Sequence, residues 1–203
     1  WGTGERRYRT SEANWTHPLR WNRKAAASGK PWRVFCGSLC DVFDNEWPAA
    51  VRQDLFKLIA DTPALTWLLL TKRIGNVAKM IEFSGLPGNI WLGATICNQD
   101  EVDRDLMKLS RIQAAVHFLS LEPLLGPVDL RPWLAVFRRL WIIVGAESGP
   151  RRRPFDHDWL RSIAEQCQAA KVPVFTKQDS SLRPGARGKI PDDLWIREFP
   201  EIP

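Results

Sequence analysis

Four charged side chains sit where apolar runs give way to polar residues: Lys72, Glu122, Glu147 and Lys177. Two ammonium groups and two carboxylates placed this way can neutralise one another across one cavity and still bind a zwitterionic ligand. Hydroxyl and thiol groups occupy comparable places, among them Ser38, Thr71, Thr95, Cys97 and Ser120. Charged groups abutting apolar strands are costly if buried unpaired. Six such exits therefore point to a shared polar site, although Asp41 or Ser120 taken singly reads as a cap for the element that follows. Glu122 and Glu147 also follow successive apolar runs. Two facing carboxylates are what a glycosidase-type hydrolase needs, so a hydrolase using this pair is a second reading.

Other chemistries find little support. The chain has three histidines: His17 in a basic segment, His117 inside an apolar run and His157 at a helix start. It contains no H-E-x-x-H, no G-x-S-x-G and no G-x-x-x-x-G-K-[ST] string. The four cysteines are Cys36, Cys40, Cys97 and Cys167. Cys36 and Cys40 form a C-x3-C pair with no second pair or histidines at zinc-site spacing, so two semi-buried thiols are the simpler reading. Nothing suggests a disulfide scaffold, and a reducing, cytoplasmic setting is expected.

The elements that must position these groups alternate. Short, continuously apolar runs occur at Trp32–Cys36, Thr66–Leu70, Ile90–Thr95, Val116–Leu121, Leu140–Gly145 and Val172–Thr176. Runs of this kind fit parallel strands buried on both faces. Amphipathic stretches lie between them at Trp47–Asp61, Ile74–Phe83, Asp100–Ile112, Asp129–Phe137 and Asp158–Ala170. Asp44–Asn45, Asn98–Gln99 and Asp156 read as helix starts. The expected fold class is α/β: a partial or complete parallel (β/α) barrel, TIM-barrel-like, with about six strands. No G-x-G-x-x-G follows the first run, which argues against an open dinucleotide-binding sheet. Barrels place their chemistry on the loops after the strands, where the charged residues fall. One barrel domain is expected over residues 1–203, with a basic arm over 1–31 and a wrapping extension over 180–203.

Charge is uneven. The net charge is +6 over 203 residues. Residues 1–35 hold Arg6, Arg7, Arg9, Arg20, Arg23, Lys24, Lys30 and Arg33 against Glu5 and Glu12, so eight cations minus two carboxylates account for all of it. Such a strip can contact a phosphate backbone, and Trp15, Trp21 and Trp32 within it can stack on bases. The plainer reading is a solvated, loosely ordered arm whose tryptophans pin it to the barrel. No apolar run reaches the ~18 residues of a membrane span, so no membrane partner is expected.

Several strings carry a resemblance: TSEANW-x4-RWN (10–22), VFCGSLCDVFDNE (34–46), LLLTKRIGNV (68–77), IWLGATICNQ (90–99), FLSLEPLLGPVDL (118–130), IIVGAESGPRRRP (142–154) and FTKQ (175–178). In this order, over nearly the whole chain, they resemble an uncharacterised phage-associated family. That family is similar to a divergent branch of the radical S-adenosylmethionine superfamily. The resemblance implies S-adenosylmethionine and a [4Fe-4S] cluster as cofactors, the cluster on three cysteines with one coordination site left for the methionine part of the cofactor. Reductive cleavage then gives a 5′-deoxyadenosyl radical. The three-cysteine motif, ending C-x-x-C-Y in such members, is absent from this chain. Cys36 and Cys40 fall one strand too late and lack a third cysteine two residues on. The cluster ligands are therefore expected upstream of Trp1, or this copy has lost the chemistry. No metal ligand is expected in the chain itself.

Thr71 and Lys72 resemble the strand-end Thr-Lys of photoproduct-lyase-like members, in which the lysine approaches the cofactor carboxylate. Ser38 lies where the second strand of such barrels meets the methionine amino group. Glu122, Glu147 and Lys177 are placed by strand-end position, not by a family motif, and are expected to serve substrate. Three functions follow: a radical enzyme, with nucleic acid one candidate substrate; a non-catalytic, phage-encoded barrel binding nucleic acid or another protein; and the hydrolase of Glu122 and Glu147.

Overall fold

Each apolar run forms a strand. In the computed structural model, which describes residues 7–37, 40–81 and 85–201, these are β1 (Trp32–Cys36), β2 (Leu65–Thr71), β3 (Ile90–Thr95), β4 (Val116–Leu121), β5 (Leu140–Gly145) and β6 (Val174–Gln178). The helices are α1 (Glu12–Ser28), α2 (Ala49–Ala60), α3 (Ile74–Ile81), α4 (Gln99–Ser110), α5 (Arg131–Leu134) and α6 (His157–Ala170). The sheet runs β1-β2-β3-β4-β5-β6. A strand order that follows the chain, with a helix between each successive pair, makes this a partial parallel α/β barrel. A doubly wound sheet would reverse its order part-way. Among the described residues, no helix is long and apolar enough to cross a membrane.

The chain divides into two compact units. The first comprises Trp1–Trp91 and Gln113–Ala115; the second comprises Leu92–Ile112 and Val116–Pro203.

In the first unit β1 and β2 pair in parallel, from Trp32 opposite Leu65 to Cys36 opposite Leu69. β2 is buried except at Leu70, as a strand flanked on both sides should be. β1 departs from the expected two-sided burial: Trp32 and Phe35 are 40% and 48% exposed. The cause is position, because β1 is the edge strand of the sheet. Part of the basic segment is not a loose arm but α1, which ends on Gly29 in a left-handed conformation at φ 64°. Asn22 of α1 accepts the Ala64 amide at 2.8 Å and so ties the helix to the turn before β2. The start of α2 also differs from expectation. It follows Pro48 without a side-chain cap, and Asp44 instead accepts the Glu46 amide at 3.0 Å in the preceding turn.

In the second unit β4 and β5 pair in parallel from His117 opposite Leu140 to Leu121 opposite Val144. β5 and β6 pair from Ile142 opposite Val174, with a register shift at Val144–Gly145. β6 begins two residues later than the apolar run suggests, so Lys177 lies inside the strand. Leu92, Leu106, Leu109, Leu119 and Ile142 are fully buried, each contributing on the order of 1.5–3 kcal/mol of apolar burial. Gly93 is required by this packing: a Cβ there would lie 2.3 Å from the Phe118 ring. The expected caps of α4 and α6 are present, Asn98 accepting from the Glu101 amide at 3.0 Å and Asp156 from the Asp158 amide at 2.9 Å. The segment after β6 returns along it. The Thr176 amide bonds Ile196 O at 2.8 Å and the Glu198 amide bonds Val174 O at 2.9 Å, which pairs an edge that would otherwise be open.

Candidate functional site

In the first unit the strand-end network centres on Asp41, which follows β1. Its Oδ1 accepts from the Phe43 amide at 3.0 Å and from the Thr71 hydroxyl at 2.8 Å. Its Oδ2 accepts from the Lys72 amide at 3.0 Å and from Arg73 Nη1 at 3.2 Å. The sequence reads Asp41 as a local cap; it is instead a clamp that fixes the end of β2. Thr71, expected at the cofactor, is buried and spends its hydroxyl on Asp41. Lys72 has its backbone held by the same carboxylate, while its side chain is exposed. Asp44 lies alongside, paired with Arg7 at 3.2 Å and Arg73 at 3.4 Å. Burial opposes its ionisation, but the Glu46 amide and the two guanidinium groups outweigh burial and hold its carboxyl below the usual range. Ser38 lies outside the described residues.

The cysteines of this unit, Cys36 and Cys40, are half-buried at the end of β1. Burial, reinforced by the neighbouring Cys40, pushes the Cys36 thiol up to about 12. Burial and the Asp41 charge raise that of Cys40 as well. Among the described residues no group of three or more His, Cys, Asp or Glu side chains is placed to hold a metal ion.

In the second unit the central group is Glu122, just past β4 and followed by a cis peptide bond to Pro123. Its loop is tied to both neighbouring strand ends: the Leu124 amide bonds Gly145 O at 3.0 Å and the Leu125 amide bonds Cys97 O at 2.9 Å. Oε2 accepts from the buried Ser120 hydroxyl at 3.0 Å and from Lys177 Nζ at 3.2 Å. Oε1 lies 3.1 Å from the same ammonium. It is nevertheless buried without a hydrogen-bond partner among the described residues. Thr95 Oγ1, at the end of β3, is buried and unpartnered too. The two orphans lie on adjoining strand ends, since the Ile96 amide bonds Ser120 O at 3.0 Å. Gly145 makes room for this carboxylate: a Cβ there would lie 2.7 Å from Oε1.

The geometry therefore brings Glu122, Lys177 and Ser120 together. Glu147 is engaged elsewhere. Its carboxylate takes the Arg153 guanidinium through Nε at 2.9 Å and through Nη2, and also the Arg153 amide at 2.8 Å. The Arg153 side-chain and backbone hydrogen bonds hold its carboxyl at about 2. The Glu147 carboxylate is therefore held ionised by Arg153, and its hydrogen bonds go to that residue.

Sequence reasoning missed Arg153 and Asp179. The run of three arginines after Gly149–Pro150 hinted at the first. Asp179 directly follows the polar end of β6. It is 6% exposed and accepts from the Lys189 amide at 2.7 Å and the Ser180 amide at 2.7 Å, with His157 Nε2 at 3.2 Å. These bonds fold the segment through Gly185 and Gly188 over the end of β6. A cavity of about 970 Å³ sits at the other ends of β5 and β6, beside Leu140 and Val174. That is the face on which parallel barrels place stability rather than chemistry.

Fold and strand-end groups together define a class: a parallel α/β partial barrel with its polar residues gathered at the carboxyl ends of its strands. Within that class the chain belongs to the family described as protein of unknown function DUF5131, which it matches over residues 1–191. No curated protein and no solved structure matches it.

Proposed function

We propose that this chain belongs to an enzyme of the radical S-adenosylmethionine type, with Lys72 of the first unit directed to the cofactor and Glu122 with Lys177 of the second unit directed to substrate. The observation that carries the site is the Glu122–Lys177 pair, in which the buried Oε1 accepts no hydrogen bond among the described residues although it lies 3.1 Å from the Lys177 ammonium. A ligand N–H or ammonium group would complete the hydrogen bonding of that oxygen on binding. Lys177, half exposed at the same carboxylate, is placed to meet an anionic group on the same ligand. Lys72 combines a fixed backbone with an exposed ammonium, which suits a group that must reach a carboxylate. The cofactor assignment rests on the strand-end Thr71-Lys72 and the other strings quoted above. Among the described residues no third His, Cys, Asp or Glu side chain joins Cys36 and Cys40 in a metal-binding group, so they do not fit a three-cysteine [4Fe-4S] site.

Equilibrium dialysis of the full chain with S-adenosylmethionine tests the assignment. Binding is expected, with Lys72→Ala weakening it about tenfold, the loss of one charge-assisted contact. The melting temperature should not move, because the Lys72 side chain is exposed. Absent binding, or equal affinity in the variant, removes the cofactor reading.

A further inference from the structure

Two loops of the second unit meet past the carboxyl ends of β5 and β6. One runs over 149–155, the other over 180–190, and neither contains a carboxylate. Hydrogen bonds join them. Ser148 and Ser181 pair as a parallel bridge, the Gly149 amide bonds Ser181 O at 2.9 Å, and the Ser180 hydroxyl donates to Arg153 O at 2.6 Å. The second loop is also anchored to β6. Gln178, 6% exposed, accepts the Gly185 amide at 2.8 Å and donates to Ala146 O at 2.7 Å, while Asp179 accepts the Lys189 amide. A buried amide and a buried carboxylate thus hold an exposed loop in one shape. A loop kept only for solubility needs no such anchor.

The arginines of the two loops fall into two groups. Arg153 is spent on Glu147 and Arg187 on Asp192. Arg151, Arg152 and Arg183 form no ion pair with the described residues. Arg152 Nη1 donates to Gly149 O at 3.1 Å, which places that guanidinium at the junction with its other N–H donors unused among the described residues. Arg151 and Arg183 are exposed, and they follow the bonded residues Gly149 and Ser181 by two positions each. The Ser181 hydroxyl accepts weakly from the Arg183 amide at 3.4 Å and donates to no described residue. Three guanidinium groups and a hydroxyl, with no carboxylate among them, call for an anion of more than one charge and several acceptor oxygens. A phosphoryl group carries about two charges and three such oxygens near neutral pH, and the guanidinium fork matches its geometry. A single carboxylate would leave most of the cation excess standing.

We propose that this junction is a phosphoryl-binding site and that the substrate meeting Glu122 and Lys177 is a phosphate ester. The second half rests on the reading of Glu122 and Lys177 given above; the first half does not. The spacing suits one ligand. A Cβ on Gly145 would lie 2.7 Å from Glu122 Oε1, and Ser148 at the junction is three residues further on. Three residues span at most about 11 Å. One phosphorylated molecule with an N–H group covers that reach, its N–H completing Oε1 and its phosphate taking the arginines. Loops at the carboxyl ends of barrel strands are a recurrent place for phosphate.

Isothermal titration calorimetry of the full chain with pyrophosphate tests the junction, with succinate as the carboxylate probe. Pyrophosphate should bind saturably and more tightly than succinate. Arg151→Ala with Arg183→Ala should weaken it about tenfold or more, the loss of two charge-assisted contacts. Both side chains are exposed, so melting should match the wild type. Arg20→Ala with Lys24→Ala removes the same charge from α1 in the first unit and should leave the affinity unchanged. No saturable binding, succinate binding as tightly, or equal losses in the two double variants overturns the proposal. The substrate half has its own readout. Aminopentyl phosphate should bind more tightly than pentyl phosphate, and Glu122→Gln should abolish the difference. Equal binding of the two by the wild type strikes out the phosphate-ester substrate and leaves the junction standing. A terminally phosphorylated oligo-dT that outcompetes pentyl phosphate makes a nucleic-acid strand the source of the phosphate; equal competition makes it a small phosphate ester.

Discussion

The carboxylates that follow β1 and β4 both lie past the carboxyl ends of their strands, and they are treated in opposite ways. Asp41 is saturated: two backbone amides, the buried Thr71 hydroxyl and the Arg73 guanidinium share its two oxygens. Nothing is left over for a ligand. Glu122 has Ser120 and Lys177 on one oxygen and no hydrogen bond on the other. The first arrangement determines where the backbone goes. The second leaves a chemical demand unmet, and Lys177 as its main partner is half exposed and can move. A strand-end charge alone therefore does not identify a site; how fully its hydrogen bonds are taken up does.

The largest test of this contrast is Asp41→Ala. It strips the acceptor from two amides and a buried hydroxyl and releases Arg73, so stability should fall by about 2–4 kcal/mol. Urea unfolding measures this as a lower midpoint at unchanged slope. A loss under about 1 kcal/mol would mean that Asp41 is no more structural than Glu122, and the comparison would collapse.

Much of this architecture is legible in the sequence. β3, β4 and β5 have the bounds of their apolar runs, because a strand buried on both faces leaves an uninterrupted apolar signature, and β1 has the bounds of its run although it is an exposed edge strand. β6 is shifted because Val172 and Pro173 are apolar but form the turn after α6, while Thr176 to Gln178 are polar but strand-paired. The helix over 12–28 escaped because its apolar positions are sparse and a proline, Pro18, interrupts it. Within the site, Glu122 and Lys177 could be singled out by position. Their pairing could not, since it joins residues 55 apart in the chain. Glu147 shows the same limit from the other side. Its strand-end position is like that of Glu122, but the carboxylate is consumed by Arg153, six residues on, which no periodicity announces. Asp41 looks like a local cap because its role depends on Thr71 and Lys72, thirty residues away.

The two units should also differ in acid sensitivity. His117, in β4, is buried, with Nε2 2.7 Å from Ile112 O. Burial lowers its pKa and outweighs that hydrogen bond. The unfolded chain, with the ordinary value near 6.5, therefore takes up a proton first. The corresponding stability is complete above about pH 6.5 and is lost as pH falls below it. Asp44 has its folded pKa depressed. Its contribution is complete above the unfolded value near 3.9 and is lost only as pH falls through the lower folded one. Urea unfolding at pH 7.5 and pH 5 should show a drop smaller than that of Asp41→Ala. His117→Gln should remove it, and Arg7→Ala should leave it. A drop that survives His117→Gln would assign the sensitivity elsewhere.

The smallest expected effect is the most informative about Glu122. Its partner Lys177 is 50% exposed, and ion pairs with an exposed member contribute about 0–1 kcal/mol. Glu122→Gln keeps an acceptor for Ser120 and removes the charge, so stability should stay within about 1 kcal/mol of wild type. Gly145→Ala reaches the same carboxylate from the neighbouring strand. Its new Cβ would stand 2.7 Å from Oε1, and the far end of a glutamate side chain can swing away, so the cost should be about 1 kcal/mol, the low end for an added methyl in a packed site. Placed in one background, the two changes should not add, because both act by displacing the same carboxylate charge. If Glu122→Gln instead destabilises the fold as much as Asp41→Ala, then Glu122 is a second structural clamp whose free oxygen serves the fold, and the ligand site must be sought elsewhere.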